Sequence, residues 1–397
     1  MNLQFRPSAT NAQRRAFQVN FNAQLVGVFG TVYQFRLPDL GASYSSFRAR
    51  IEQIGSDSTV LRARAVSVFD RAASFGSRYP DDAPQFRRSN YVNRDSSVWV
   101  ATALRLPQAW SCETGQYGGI LPRIAIFEQN FPLVPASDVS RSLLTPVIRD
   151  TSWRTAQLVT TVPADSARYT SHGHSVAALV SASGDDSTGL AGPLWRSDLR
   201  VITPGNVNEK KGAGAFFFYE VLSQEILRAA PRILSLSSDY VINPDTLQRE
   251  ADIVAITLRF RQLLDSLPML LIVQAVGNDG YQGSYAARDT SLRNIFQEAL
   301  VAIRSGSTTY RDRIVFVGET DRNGNRPTES NEFSGLIDLY APGFGVPILL
   351  ADGTVAIGRG TSFAAPIVAG IAGQLLAMDP TLSAKDLKDL LRRAEDS

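Results

Sequence analysis

The chain reads as an α/β protein: a large domain on a parallel sheet, preceded by a small α+β unit. Three observations predict this. From about residue 120 onward, short continuous apolar runs alternate with longer helical segments, as in strands buried on both faces and covered by helices. The first 70 residues instead show short strand-like runs interrupted by two helical stretches. Between the two lies Pro80-Asp81-Asp82-Ala83-Pro84, a poor fit to helix or strand, within a Ser-, Arg-, Asp- and Pro-rich stretch that marks a linker. The expected division is 1–70, a linker over 71–93, and a main domain over 94–397.

Each element follows from local pattern. Leu3-Gln4-Phe5-Arg6 alternates as a strand that Pro7 ends, and Thr10 or Asn11 caps a helix running to about Asn22. Gln24–Val28 and Thr31–Leu37 read as strands around Gly30. Ser45–Ile54 places Phe47, Ile51 and Ile54 at helical spacing, and Thr59–Phe69 alternates again, giving the order β-α-β-β-α-β. In the main domain, Arg123–Phe127, Leu199–Ile202, Arg232–Leu236, Met269–Ala275 and Ile314–Val317 are expected strands. Helices are expected from His172 to Ala182, Ala213 to Ala229, Ala251 to Asp265 and Thr361 to Met378, with Ser383 capping a last one. In such folds, sites collect at the carboxyl ends of the strands.

Composition limits the chemistry. One cysteine, Cys112, excludes an internal disulfide, a cysteine-rich zinc site and an iron–sulfur cluster. The two histidines, His172 and His174, lie in one segment, so histidine-dependent chemistry is confined there. Charge is nearly balanced, 40 basic against 38 acidic residues, and no basic block points to nucleic acid. No run of about 18 apolar residues suggests a membrane span.

Three segments stand where chemistry is expected. Gly358-Arg359-Gly360-Thr361-Ser362 enters the apolar helix, placing Ser362 at a helix N-terminus that favours negative charge. Taken alone, the segment fits an ordinary helix cap as well. Ser171-His172-Gly173-His174 opens another helix and holds the only side chains that titrate naturally near neutrality. Two residues apart, the histidines do not share a helix face, which argues against a common metal. Ala275-Val276-Gly277-Asn278 ends a buried strand in a Gly-rich turn, where Asn278 is either a turn former or an amide donor.

Together these segments resemble the subtilisin-like serine proteases, the subtilases. Gly360-Thr361-Ser362-Phe363-Ala364-Ala365-Pro366 resembles the family's nucleophile motif, which implies Ser362 as nucleophile. His-Gly-x-x-Val-Ala from His172 resembles the histidine motif and implies His172 as base, although His174 stands where the family usually has Thr. Ala275-Val276-Gly277-Asn278 resembles the oxyanion segment, with Asn278 the implied donor. Ser235-Leu236-Ser237 resembles the substrate-strand motif Ser-Leu-Gly, with Ser237 in place of Gly altering the first specificity pocket. Substrate binding is thereby expected at Ser235, Leu236, Ser237, Ala275, Val276 and Gly277. The resemblance runs from about Pro80 to the C-terminus, and implies a three-layer subtilisin-like fold acting on protein or peptide substrates.

The third position of the triad departs from the family. Where an Asp usually follows the first strand, this chain has Glu128 after Ile124-Ala125-Ile126-Phe127. Glu accepts the same histidine hydrogen bond but is one methylene longer. An active enzyme, a slowed one and a protein without turnover all remain open, with intact Ser362, His172 and Asn278 favouring activity. On this reading, Glu128→Asp restores the usual arm length and leaves activity equal or higher. Asp138 or Asp150 replaces Glu128 only if a loop returns one of them to the site. The rivals are a binding or regulatory module of protease shape and a serine-carboxyl peptidase, the latter opposed by the histidine motif.

The resemblance also implies that residues 1–70 are an inhibitory propeptide, a partner of the protease domain, with self-cleavage between about Asp70 and Asn93. A permanent accessory subdomain explains the same order. No secretory signal opens the chain, yet family members are usually exported, so secretion is expected. No cofactor is required. Asp185-Asp186-Ser187 offers hard oxygen ligands for Ca²⁺, and a solvated turn accounts for them equally.

Overall fold

The computed structural model describes residues 2–29, 32–37, 50, 53–64, 77–82, 86–92, 96–115, 121–128, 145–148, 167–203, 214–237, 246–285 and 294–395. They form two compact units, Met1–Arg78 with Pro107–Cys112, and Tyr79–Leu106 with Glu113–Ser397.

The first unit carries β1 (Asn2–Phe5), α1 (Asn11–Asn20), β2 (Gln24–Phe29), β3 (Val32–Arg36) and β4 (Val60–Arg64). Its antiparallel sheet has the order β2-β3-β1-β4. Thr10 is the helix cap: it accepts from Gln13 N–H, and Gln13 reaches back to the Thr10 N–H, which closes a capping box. Alternation on β1 sends Leu3 and Phe5 inward against Phe17, Phe35 and Val60, with Phe5 and Phe17 edge-to-face at 5.3 Å. Most of the expected second helix over 45–54, and the end of the last strand beyond Arg64, lie outside the described residues.

The second unit holds β5 (Arg123–Phe127), β6 (Thr145–Ile148), α2 (Ala167–Ser181), β7 (Asp198–Thr203), α3 (Gly214–Ala229), β8 (Ile233–Leu236), α4 (Thr246–Ser266) and β9 (Leu271–Ala275). Then come β10 (Gln282–Gly283), α5 (Ile295–Gly306), β11 (Ile314–Thr320), β12 (Glu332–Phe333), β13 (Leu339–Pro342), the hairpin β14 (Phe344–Leu349) and β15 (Val355–Arg359), α6 (Thr361–Met378) and α7 (Ala384–Glu395). Seven strands form one parallel sheet in the order β13-β11-β9-β8-β5-β7-β6. Ala125 and Phe127 of β5 face the core shared with Ile226 of α3, Phe260 of α4 and Phe296 of α5. Period-2 alternation turns Ile124 and Ile126 to the opposite side, where Ile124 meets Gly373 of α6. The result is three layers, helix–sheet–helix.

α6 is the hub. Against the expectation that no segment suits a membrane span, its 18 residues are long and apolar enough for one, but 78% of it is buried inside the protein, as a core helix is. At Gly370 an added Cβ would lie 2.6 Å from Val180 O of α2, and at Gly373 one would lie 2.7 Å from Ile124 Cδ1. The Gly370 approach is to backbone, a distance that no side chain allows, whereas at Gly373 the neighbours are side-chain ends.

Two expectations change. The helix expected to open at His172 is already underway at Ala167, so His172 lies in its second turn. Pro366, the sixth residue of α6, withholds a helical hydrogen bond from the Ser362 carbonyl. Within the expected linker, Arg88–Val92 forms a short helix, and Asp82, Phe86 and Tyr91 are buried.

Candidate active site

Glu128 follows the last residue of β5, and its N–H donates to Ile202 O of β7 at 3.1 Å, so strand pairing fixes its backbone. Alternation places its side chain on the face covered by α2 and α6, where it is 1% exposed. Glu128 Oε2 accepts from His172 Nδ1 at 3.0 Å, and His172 Nε2 lies 3.0 Å from Ser362 Oγ. A carboxylate only accepts, so Nδ1 carries the proton and Nε2 is left to accept from the Ser362 hydroxyl. The His172 side chain is 35% exposed, open enough to be reached from solvent, and its ring packs against Phe363 at 5.4 Å. Asp138 and Asp150 lie outside the described residues.

His174 takes no part in this line. It is fully buried, and its Nδ1 donates to Leu349 O of β14 at 3.0 Å, a carbonyl that also accepts from Ser175 Oγ at 2.8 Å. Burial pulls its pKa below the ordinary 6.5, so it is a neutral latch between α2 and the hairpin.

Ser362 is the second residue of α6, entered from β15 through Gly360 at φ +136. A Cβ on Gly360 would stand 3.1 Å from Asn278 Nδ2 and 3.3 Å from Ser362 Oγ, so both groups border one small space. Asn278 is exposed beyond β9, and its Oδ1 accepts from Thr361 N–H at 2.8 Å, which turns Nδ2 toward that space. On the other side of Ser362, Phe363 N–H is committed to Gly360 O at 2.9 Å. The Ser362 N–H lies between these two committed amides, at the positive end of α6. A hydroxyl made nucleophilic by a histidine, beside two N–H donors, can attack a carbonyl and hold the oxyanion that forms.

The expected substrate-binding residues sit at the carboxyl ends of two neighbouring strands. β8 and β9 pair through Ser235 with Val273 and Leu236 with Gln274, and Ser237 and Ala275 lie just past the last pair. Ser235, Leu236, Ser237, Ala275 and Val276 are all buried. Ser237 Oγ has no hydrogen-bond partner among the described residues, and residues 238–245 that follow it lie outside them. Gly277 has φ +95, and a Cβ there would meet Asn331 Nδ2 at 2.7 Å.

Sequence reasoning missed two neighbours. Asn331 clamps the Asn278 turn: its Oδ1 accepts from Asp279 and Tyr281 N–H at 3.1 and 3.0 Å, and its Nδ2 donates to Val276 O at 3.0 Å. Glu319, fully buried at the end of β11, accepts from Gly360 N–H at 3.0 Å. A carboxylate in the run Ile314-Val315-Phe316-Val317-Gly318-Glu319 is a visible signal, because charge is rarely buried in a strand without a task.

In the loop expected to suit calcium, the backbone amides turn toward Asp82. Asp185 and Asp186 N–H donate to Asp82 Oδ1 at 2.8 and 3.2 Å, and Asp186 Oδ1 accepts from Thr188. Backbone amides converging on a carboxylate form an anion cradle, and burial raises the Asp82 pKa to about 7. Among the described residues no group of three or more His, Cys, Asp or Glu could hold a metal.

Comparison with known proteins identifies the family. A family model described as the subtilase family matches residues 133–396, which include His172, Asn278 and Ser362 and begin just after Glu128. The chain is 34% identical over 128 residues to a cell wall-associated protease of Bacillus subtilis (strain 168), covering 32% of this chain and 12% of that protein. It is 32% identical over 122 residues to subtilisin DY of Bacillus licheniformis, covering 31% and 38%. The matched stretches thus span well under half of these relatives. Among solved structures, a protease from Pseudoalteromonas arctica shares the fold, with a TM-score of 0.51 at 20% identity over 79% of this chain and 92% of that one. With its family model matched over well more than half its length and its seven-stranded parallel sheet, the chain belongs to the subtilase family.

Proposed function

We propose that the chain is a serine endopeptidase, made as a zymogen, that hydrolyses peptide bonds through an acyl-enzyme. The observation that carries the reading is the continuous line Glu128–His172–Ser362, with both contacts at 3.0 Å. Ser362 Oγ attacks the scissile carbonyl as His172 Nε2 takes its proton. Glu128 holds the Nδ1–H tautomer and stabilises the imidazolium that forms. Asn278 Nδ2 and the Ser362 N–H receive the oxyanion. The protonated His172 then gives its proton to the leaving amine, and water, deprotonated by His172, releases the acyl group from Ser362.

Substrates are protein or peptide chains, bound in extended form past the last paired residues of β8 and β9, where backbone groups at Ser237 and Ala275 leave the sheet. Residues 1–70 act as propeptide, with self-cleavage between about Asp70 and Asn93, and the mature enzyme is exported. Support for the zymogen is the separate core of that unit, built on Phe5, Phe17 and Phe35.

The test joins labelling to mass measurement. A fluorophosphonate probe should label wild type at Ser362 and leave Ser362→Ala unlabelled. Wild type should shorten on incubation to a fragment beginning between Asp70 and Asn93, while Ser362→Ala stays intact. Peptide hydrolysis or self-cleavage by pure Ser362→Ala would overturn the assignment.

A further inference from the structure

We propose that Glu319 is a positioning residue of the nucleophile turn: its carboxylate grips the Gly360 N–H and so keeps Gly360-Thr361-Ser362 in register with His172 and Asn278. The inference rests on the reading of Ser362 as the nucleophile. Glu319 is fully buried behind the turn. Its Oε2 accepts from Gly360 N–H at 3.0 Å, an N–H that also reaches Gly343 O at 3.0 Å. Its Oε1 has no hydrogen-bond partner among the described residues. The space around it is closed: a Cβ on Gly343 would lie 2.6 Å from Glu319 Cβ and 3.1 Å from Ala364 Cβ.

A buried carboxylate with one donor is costly, and a core position without a task would carry an apolar side chain. Here the donor is the amide of a residue at φ +136, a conformation that must be held by its surroundings. The opposite edge of the same residue borders Asn278 Nδ2 and Ser362 Oγ, so a shift at Gly360 moves both. Neither α6 nor β13 offers a competing charge. α6 carries no charged residue from Thr361 to Met378, and β13 carries none from Leu339 to Pro342. The charges facing Glu319 are Glu329 and Arg359, themselves ion-paired at 3.8 Å near the surface.

Burial pushes the Glu319 pKa up to about 7; the Gly360 N–H opposes the rise, Glu329 adds to it and Arg359 lowers it. A charge-assisted hydrogen bond is about twice as strong as a neutral one. The grip on Gly360 is therefore firm when Glu319 is ionised and slack when it is protonated. Acidification weakens the nucleophile turn independently of His172.

The rate of fluorophosphonate labelling, followed from about pH 5 to pH 9, tests this in wild type, Glu319→Gln and Glu319→Ala. In wild type the acid limb should steepen toward a two-proton dependence. In Glu319→Gln it should fall to one proton, with a several-fold lower plateau. Glu319→Ala should lose about tenfold at every pH, in kcat more than in KM for a peptide substrate. Melting curves give a readout independent of activity. A folded pKa raised above the unfolded value removes stability as pH climbs from about 4.5 to about 7, so Glu319→Gln should gain on wild type across that window. A one-proton limb in wild type, or limbs identical in wild type and Glu319→Gln, would overturn the role of Glu319 while leaving Ser362 in place. If neither variant folds, the wild-type limb alone decides. Failure of wild type to label would overturn the nucleophile reading, and this inference with it.

Discussion

Shortening the orienting carboxylate probes the site most directly. In Glu128→Asp the carboxylate retreats by one carbon–carbon bond, about 1.5 Å. β5 is poorly placed to follow, because Ile124–Phe127 are buried and paired with β7 on one side and β8 on the other. The 3.0 Å contact to His172 Nδ1 would then open to about 4.5 Å, beyond hydrogen-bond reach. Losing a hydrogen bond to a charged group costs about 1.5–3 kcal/mol, or about 10- to 150-fold in rate. The loss should fall in kcat, because Glu128 is buried beneath His172 and has no surface for substrate. The distance thus points opposite to the expectation drawn from arm length alone. Glu128→Gln keeps the length but removes the charge, and should fall further, toward the roughly 10⁴-fold loss seen when a triad acid becomes its amide. Steady-state kinetics on a fluorogenic peptide and the labelling rate of Ser362 report both variants. Glu128→Asp with activity equal to or above wild type would refute the claim that the site is built around the longer side chain.

Three further outcomes are expected. Asn278→Ala should lower kcat by about 10²–10³ with little change in KM, read by the same peptide assay, because one of two oxyanion donors is gone. His174→Gln should flatten the acid side of the stability curve. A buried histidine with a lowered pKa adds stability above its unfolded value of 6.5 that is lost as pH falls, so wild-type melting should drop more steeply below about pH 6.5 than that of the variant. Asp338→Ala should cost about 3–5 kcal/mol in urea unfolding, because Lys388 and Arg304 lose the carboxylate that they contact at 2.9 and 2.7 Å in the interior.

The legible parts of the site are those where chemistry and local pattern coincide. Ser362 is visible because small residues lead into an apolar helix, and that helix has the expected ends, Thr361 and Met378. His172 is visible because the chain has only two histidines. Glu128 is located by counting along a strand, with no motif of its own. What stays hidden depends on contacts between residues far apart in the chain. His174 is satisfied by a carbonyl 175 residues away, and Asn331 reaches back 52 residues to the turn that carries Asn278. No local period reports such contacts. β13 and the β14–β15 hairpin escape a sequence reading because their strands are short and only partly alternating. The sheet order β13-β11-β9-β8-β5-β7-β6 is also out of reach, since apolar runs show that strands are buried and not which strand lies beside which.

Gly370 and Gly373 have a consequence for how this protein can change. They lie about 12 and 16 Å along α6 from Ser362, by helical rise, yet there the helix of Ser362 meets the backbone of the helix bearing His172 and the Ile124 side chain of the strand leading to Glu128. The separation of the three groups is thus set deep in the interior, and at Gly370 even a methyl group is too large. The residues proposed to meet a substrate lie elsewhere, at the open ends of β8 and β9. Reactivity and selectivity are consequently held by different parts of the molecule. Substitutions at the strand ends can therefore alter the proposed substrate site while the packing at Gly370 leaves the line Glu128–His172–Ser362 as it is.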